Sequence, residues 1–141
     1  MKTILRFSAA LAILSCFVWI VPGQDRKVMS EFHGVRLGFT AEQVKGALGT
    51  PATKADNRED FTFDGDNQLT LHYENGAVKA MQISFIDVAK APDWPQVVGD
   101  AVIEEMANGA KAARKVVKNE NYWVTMYRSK DGTIVRITIS R

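Results

Sequence analysis

Apolar and polar positions along this chain repeat with two different periods, and the periods divide it into elements. Over Thr40–Leu48 the apolar residues Val44 and Leu48 stand four apart with Ala41 and Ala47 beside them, which predicts a short helix with one apolar face. Thr40 is a good N-cap, Gln43 stands three residues on to complete a capping box, and Gly49 with Pro51 ends the helix. The period then drops to two. Asp60–Phe63 is a short aromatic strand, and Asp64-Gly65-Asp66-Asn67 is a turn cluster. In Gln68–Tyr73, Leu69, Leu71 and Tyr73 alternate with Gln68, Thr70 and His72. Asn75-Gly76 is a hairpin turn because both residues tolerate positive φ, and Val78–Phe85 returns with Met81, Ile83 and Phe85 in step.

The second half runs in a similar order. A connector over Asp87–Pro95 leads to a second predicted helix from about Pro95 to Ala107, capped by Asp93 and closed by Asn108-Gly109, with Val98, Ala101, Val102 and Met106 on one face. Lys111–Lys118 reads equally as a strand or as a helix extension. Asn121–Arg128 and Thr133–Ser140 form a hairpin around Asp131-Gly132. The turn glycines Gly76 and Gly132 are 56 residues apart, and that shift carries Val78, Met81 and Ile83 onto Ile134, Ile137 and Ile139. The expected fold is α+β, with short helices packed on one face of an antiparallel sheet. Two tandem helix–hairpin repeats, at about 37–86 and 93–141, are its candidate organisation. Residues 37–141 then form one domain, preceded by a polar segment over 24–36 and a leader over 1–23.

That leader changes the picture of address. Met1–Arg6 is basic, Phe7–Val21 carries no charge, and Pro22-Gly23 stops the apolar run before Gln24-Asp25-Arg26-Lys27. The order is that of a secretory signal, cut after Gly23, and the run is shorter than the roughly 20 apolar residues of a spanning helix. Two other readings stay open. The run could be retained as an anchor with Trp19 at the interface, or Ile13-Leu14-Ser15-Cys16 could act as a lipobox with lipid on Cys16. With the leader cut, the body has no cysteine, hence no disulfide, thiol nucleophile or thiolate metal site. The expected location is the periplasm or cell envelope.

Charge follows from the same division. The formal net charge of +2 comes entirely from Lys2 and Arg6, since Gln24–Arg141 holds 16 basic and 16 acidic residues. A neutral body argues against nucleic-acid binding, whose affinity comes largely from phosphate neutralisation. The neutrality is uneven, however. Gln24–Asp87 has 7 basic and 10 acidic residues, and Val88–Arg141 has 9 and 6.

The stretch Gly38-Phe39-Thr40-Ala41-Glu42-Gln43-Val44-Lys45-Gly46-Ala47-Leu48-Gly49-Thr50-Pro51 resembles the opening of the SmpA/OmlA (BamE-like) domain. That family begins with glycine, an apolar residue and Ser/Thr, followed by a helix ending in Leu-Gly-x-Pro. The resemblance covers about Leu37–Phe85. It implies a small α+β sandwich, and a role in the envelope through protein and lipid contacts like that of the family member that supports β-barrel assembly. A doubled form is similar to the β-lactamase inhibitory protein, which grips its target with a concave sheet. The chain departs from the family in its poor lipobox, and in Asp60-Phe61-Thr62-Phe63 where a tryptophan-x-tyrosine signature is common.

Candidate chemistry is sparse. His33 and His72 have no companions at metal-ligand spacing, so no metal and no cofactor are expected. Asp56, Glu59, Asp60, Asp64 and Asp66 gather around a turn, but the glycine and distal glutamate of a calcium loop are misplaced. Ser30, Ser84 and Ser129 lie in no nucleophile elbow. The chain reads as no enzyme, and an enzyme or small-ligand carrier would need a polar pocket between helices and sheet. A binding surface is the better candidate. Tyr122, Val124 and Met126 alternate with Trp123, Thr125 and Tyr127, so the strand is apolar on both sides. If Trp123, Thr125 and Tyr127 face an open sheet, they make the aromatic centre that interfaces favour. If the strand is buried on both faces, they are core. Lys111, Arg114, Lys115 and Lys118 form a basic run that is either a solvated face or a dock for lipid or a partner. The expected partner is another envelope or secreted protein, with membrane contact through the leader.

Overall fold

Ten strands and two short helices form in the computed structural model, which describes residues 27–141. The leader and its three readings, Cys16 among them, lie outside the described residues. Among the described residues the first elements are a small hairpin, β1 (Glu31–Phe32) and β2 (Val35–Arg36), and then α1 (Ala41–Leu48). Both hydrogen bonds of the capping box form: Gln43 N donates to Thr40 Oγ1 at 3.3 Å, and Thr40 N donates to Gln43 Oε1 at 2.9 Å. Four consecutive strands follow: β3 (Thr53–Ala55), β4 (Arg58–Phe63), β5 (Asn67–Glu74) and β6 (Ala77–Phe85). After α2 (Trp94–Val98) come β7 (Glu104–Glu105), β8 (Lys111–Val117), β9 (Tyr122–Arg128) and β10 (Val135–Ser140).

The eight strands after the first hairpin join in one antiparallel sheet, ordered β3-β4-β5-β6-β10-β9-β8-β7. Each half of the chain is therefore a helix followed by a four-strand meander, and the halves meet edge to edge where β6 pairs β10. That junction places Ile83 beside Ile137 and Met81 beside Ile139, all four without exposed surface. Period-two alternation decides which face is dry. Phe61, Leu69, Leu71, Val124 and Met126 extend the same layer to either side. Fully burying each such side chain contributes about 1.5–3 kcal/mol. Asn67 is buried as well, and its Oδ1 accepts from the backbone N–H of Ile86 and of Asp87 at 2.9 and 3.1 Å, fastening the end of β6.

The expected α+β arrangement, with helices packed on one face of the sheet, is not what forms. The protein is mostly β, and its two helices have eight and five residues. The cause lies in the second helix. Gly99 takes φ +62° directly after Val98, which ends the helix, and the chain becomes extended at β7 instead of staying helical to Ala107. Val102 and Met106, placed by helical spacing on a buried face, are exposed. Lys111–Lys118, open between strand and helix, is strand β8 as far as Val117, with Lys118 in the 3₁₀ turn that follows. The tandem helix–hairpin units are likewise corrected to helix plus four strands. The helices supply Val44, Val97 and Val98 to the core, but segments outside helices cover it too. Val35 of the first hairpin is fully buried, and Val28, Met29 and Phe32 pack against the same cluster. The stretch before Leu37, read as a polar preface, is thus part of the domain. Phe32 meets Phe63 and Phe85 edge-on at centroid distances of 5.0 and 6.2 Å.

Gly38 shows why the motif around α1 begins with glycine. Its φ is +88°, its N–H donates to Val78 O at 2.8 Å, and an added Cβ would lie 3.2 Å from Arg141 Nη2.

Candidate interaction surface

The sheet has a second face, opposite the core, and cross-strand register arranges it in ranks. One rank runs Asp60, Thr70, Gln82, Thr138, Thr125 and Arg114 across β4, β5, β6, β10, β9 and β8. A second runs Arg58, His72, Ala80, Ser140, Trp123 and Val116, and a third runs Thr62, Gln68, Ser84, Arg136, Tyr127 and Ala112. Neither helix contributes to these ranks.

Strand β9 is apolar on both sides but buried on one. Tyr122, Val124 and Met126 lie in the core, whereas Trp123, Thr125 and Tyr127 are half-buried on the open face. Trp123 and Tyr127 flank Thr125 along the strand, and the Arg114 guanidinium sits 4.6 Å from the Trp123 ring centroid. Arg136, next to Tyr127 in its rank, extends the cationic and aromatic character of this end. It was not singled out from the sequence, although its alternation with Val135, Ile137 and Ile139 already marks its face.

The basic run does not share one surface. Arg114 is on the open face, Lys111 and Lys115 take the opposite parity at the sheet's edge, and Lys118 lies in the 3₁₀ turn that follows β8. Lys115 Nζ is 2.6 Å from Asp100 Oδ1 in an exposed ion pair. The strand order also turns the charge asymmetry of the sequence into a spatial one, with the more acidic half at the β3 end and the more basic half at the β7 end.

At the acidic end the charged groups are tied to one another. Asp60 Oδ1 accepts from the Thr70 hydroxyl at 2.6 Å and from Arg58 Nε and Nη2 at 3.0 and 2.9 Å. Desolvation pushes the Asp60 carboxyl up, but the Thr70 hydrogen bond and the Arg58 cation outweigh it and hold it below its ordinary value. On the core side, Glu59 is buried, accepts from the Tyr73 hydroxyl at 2.6 Å and meets Lys54 Nζ at 2.9 Å. Burial and the Glu59 carboxylate together push the Tyr73 phenol far above its usual range. The acids that cluster in sequence are therefore spread over two faces. Among the described residues, no three His, Cys, Asp or Glu side chains come together to hold a metal ion. His72 is exposed, and His33 stacks edge-on against Phe32 at 4.3 Å. No helix of the described residues is long and apolar enough to cross a membrane.

Two recesses flank β8. One of about 570 Å³ is lined by Val102, Met106, Ala112, Arg114 and Tyr127, and places the exposed Val102 and Met106 beside the aromatic end. Another of about 600 Å³ runs beside Lys115–Glu120, with Val28, Ser30 and Tyr122 on its wall. Apolar side chains next to aromatic rings and arginines can bind a protein surface by burying area and pairing charge. Comparison with protein-family models, with curated proteins and with solved structures finds no match to this chain.

Proposed function

We propose that this is an exported, non-catalytic protein-interaction domain of the cell envelope, which grips a partner with the open face of its sheet around Trp123, Thr125 and Tyr127. The observation that carries the reading is the half-buried Trp123 and Tyr127 on the face opposite the core, with Arg114 stacked on Trp123. Aromatic and arginine side chains are the residue types that dominate binding energy at interfaces. The signal-like leader supports export, and the likeness of Gly38–Pro51 to the SmpA/OmlA opening points toward the same envelope role. Capture from an envelope extract tests the reading. Wild-type protein should retain a defined partner that Trp123→Ala/Tyr127→Ala loses. Identical captures by the two proteins would reject this surface.

A second reading, a membrane-held assembly or maintenance factor, is favoured by Cys16 at the end of Ile13-Leu14-Ser15 in an apolar run. Mass measurement of the protein purified from its native membrane or periplasm separates the two. An N-terminus at Gln24 without lipid rejects this second reading.

A further inference from the structure

We infer that the edge of β8 beyond β7, along which no strand of the described residues pairs, is a strand-addition site for an acidic, extended segment of a partner protein. The inference rests on the reading of this domain as a protein-binding module, and adds where the partner's main chain lies and which charge it carries. β7 pairs with only Lys111 and Ala112 of β8. Beyond them, Ala113–Val117 pairs with β9 on one side, and among the described residues no strand lies along the other. A strand edge presents unpaired backbone N–H and C=O groups, which an incoming strand can satisfy.

The chemistry of the occupant is written on the edge. Its charged side chains are Lys111, Arg114 and Lys115, with Lys118 just past its end; Lys115 is already paired with Asp100, and Lys111, Arg114 and Lys118 have no acid between them along the chain. The chain itself supplies the precedent, since the strand that pairs with the start of this edge is Glu104-Glu105. An acidic segment from outside would continue that pairing where β7 stops. A second copy of this chain is a poor occupant. Antiparallel pairing of β8 with β8 would oppose two runs of the same sign, the lysine device by which natural edges avoid self-association. The recesses flanking the strand, one beside Val102 and Met106 and one beside Val28 and Tyr122, offer places for the alternating side chains of the added strand. In this mode the main chain supplies affinity and the side-chain recesses supply specificity.

The test uses a fluorescein-labelled eight-residue peptide of alternating Glu and Val, titrated into the full chain and followed by anisotropy and by amide NMR. Saturable binding should shift the amides of residues 113–117 and slow their hydrogen exchange. Lys111→Glu/Lys118→Glu should weaken binding about tenfold, as reversal of two exposed charges predicts. A peptide methylated at alternate backbone nitrogens, and one with Lys in place of Glu, should both bind at least about tenfold more weakly. The methylated peptide keeps the test valid even if the double variant fails to fold. Equal binding by the methylated peptide, no binding at all, or adsorption to phosphatidylglycerol vesicles that excess acidic peptide cannot displace would each overturn the inference. Amide shifts confined to Trp123, Thr125 and Tyr127 would overturn it too, while leaving the open-face reading intact. Loss of captured partners in Trp123→Ala/Tyr127→Ala but full retention in Lys111→Glu/Lys118→Glu would separate the two in the same way.

Discussion

Replacing Val97 and, separately, Val102 by alanine tests where the second helix stops. Val97 lies in α2 with no exposed surface, whereas Val102 is 78% exposed three residues beyond Gly99. Removing two buried carbons forfeits about 1.6 kcal/mol of transfer free energy. A residual cavity of about 50 Å³ adds about 1 kcal/mol, and the higher helix propensity of alanine returns about 0.5 kcal/mol. Val97→Ala should therefore cost about 2 kcal/mol. At Val102 only about a fifth of the side chain's area is at stake, so the loss is about 0.3 kcal/mol. Urea unfolding followed by far-UV circular dichroism reads the difference. With an m-value of about 1.2 kcal/mol/M for a domain of this size, the midpoint should fall by about 1.7 M for Val97→Ala and by about 0.3 M or less for Val102→Ala. Equal losses at the two sites would refute the reasoning, because they would restore one amphipathic helix through Ala107.

Three further substitutions probe the ties described above. Asp60→Asn should lower stability at pH 7 by about 1–2 kcal/mol, since its carboxylate accepts from Thr70 and Arg58 while part-exposed. Because the folded group titrates below its ordinary value, its stabilising effect is full above the unfolded value near pH 4, about the reference for aspartate, and is lost as pH falls through the lower folded value. Acid unfolding of Asp60→Asn should accordingly be less steep than that of the wild type in that window. Tyr73→Phe should cost about 1.5–3 kcal/mol by leaving the buried Glu59 one charge-assisted hydrogen bond short, measured by thermal or urea unfolding. Gly38→Ala should cost about 1–2 kcal/mol through its positive φ and the crowding of Arg141, and a gain in melting temperature would contradict that assignment.

These sites also show what the sequence could and could not convey. Local chemistry was legible: Thr40 and Gln43 announced their capping box, and Leu69, Leu71, Met81 and Ile83 announced their face by alternation. The error at Pro95–Ala107 has a specific cause. Val98, Ala101, Val102 and Met106 satisfy helical spacing by coincidence, and Gly99 was free to take the left-handed conformation that ends the helix. The pairing of β6 with β10 joins residues 50 to 60 positions apart and depends on no local signal. Without that pairing, each half read as a helix with its own hairpin, which is how an α+β layer came to be expected. At the candidate surface, alternation in Tyr122–Tyr127 was visible, but the choice of buried set required knowing which neighbours flank β9. Arg136 became part of the surface only through its register with Tyr127.

Site-specific photo-crosslinking in cells tests the central claim most directly. A photoreactive amino acid at Tyr127, on the open face, should trap a discrete partner adduct. The same group at Glu42, exposed on α1 away from that face, should trap none. Adducts from position 42 alone, or equally from both positions, would contradict an interaction surface centred on Trp123 and Tyr127.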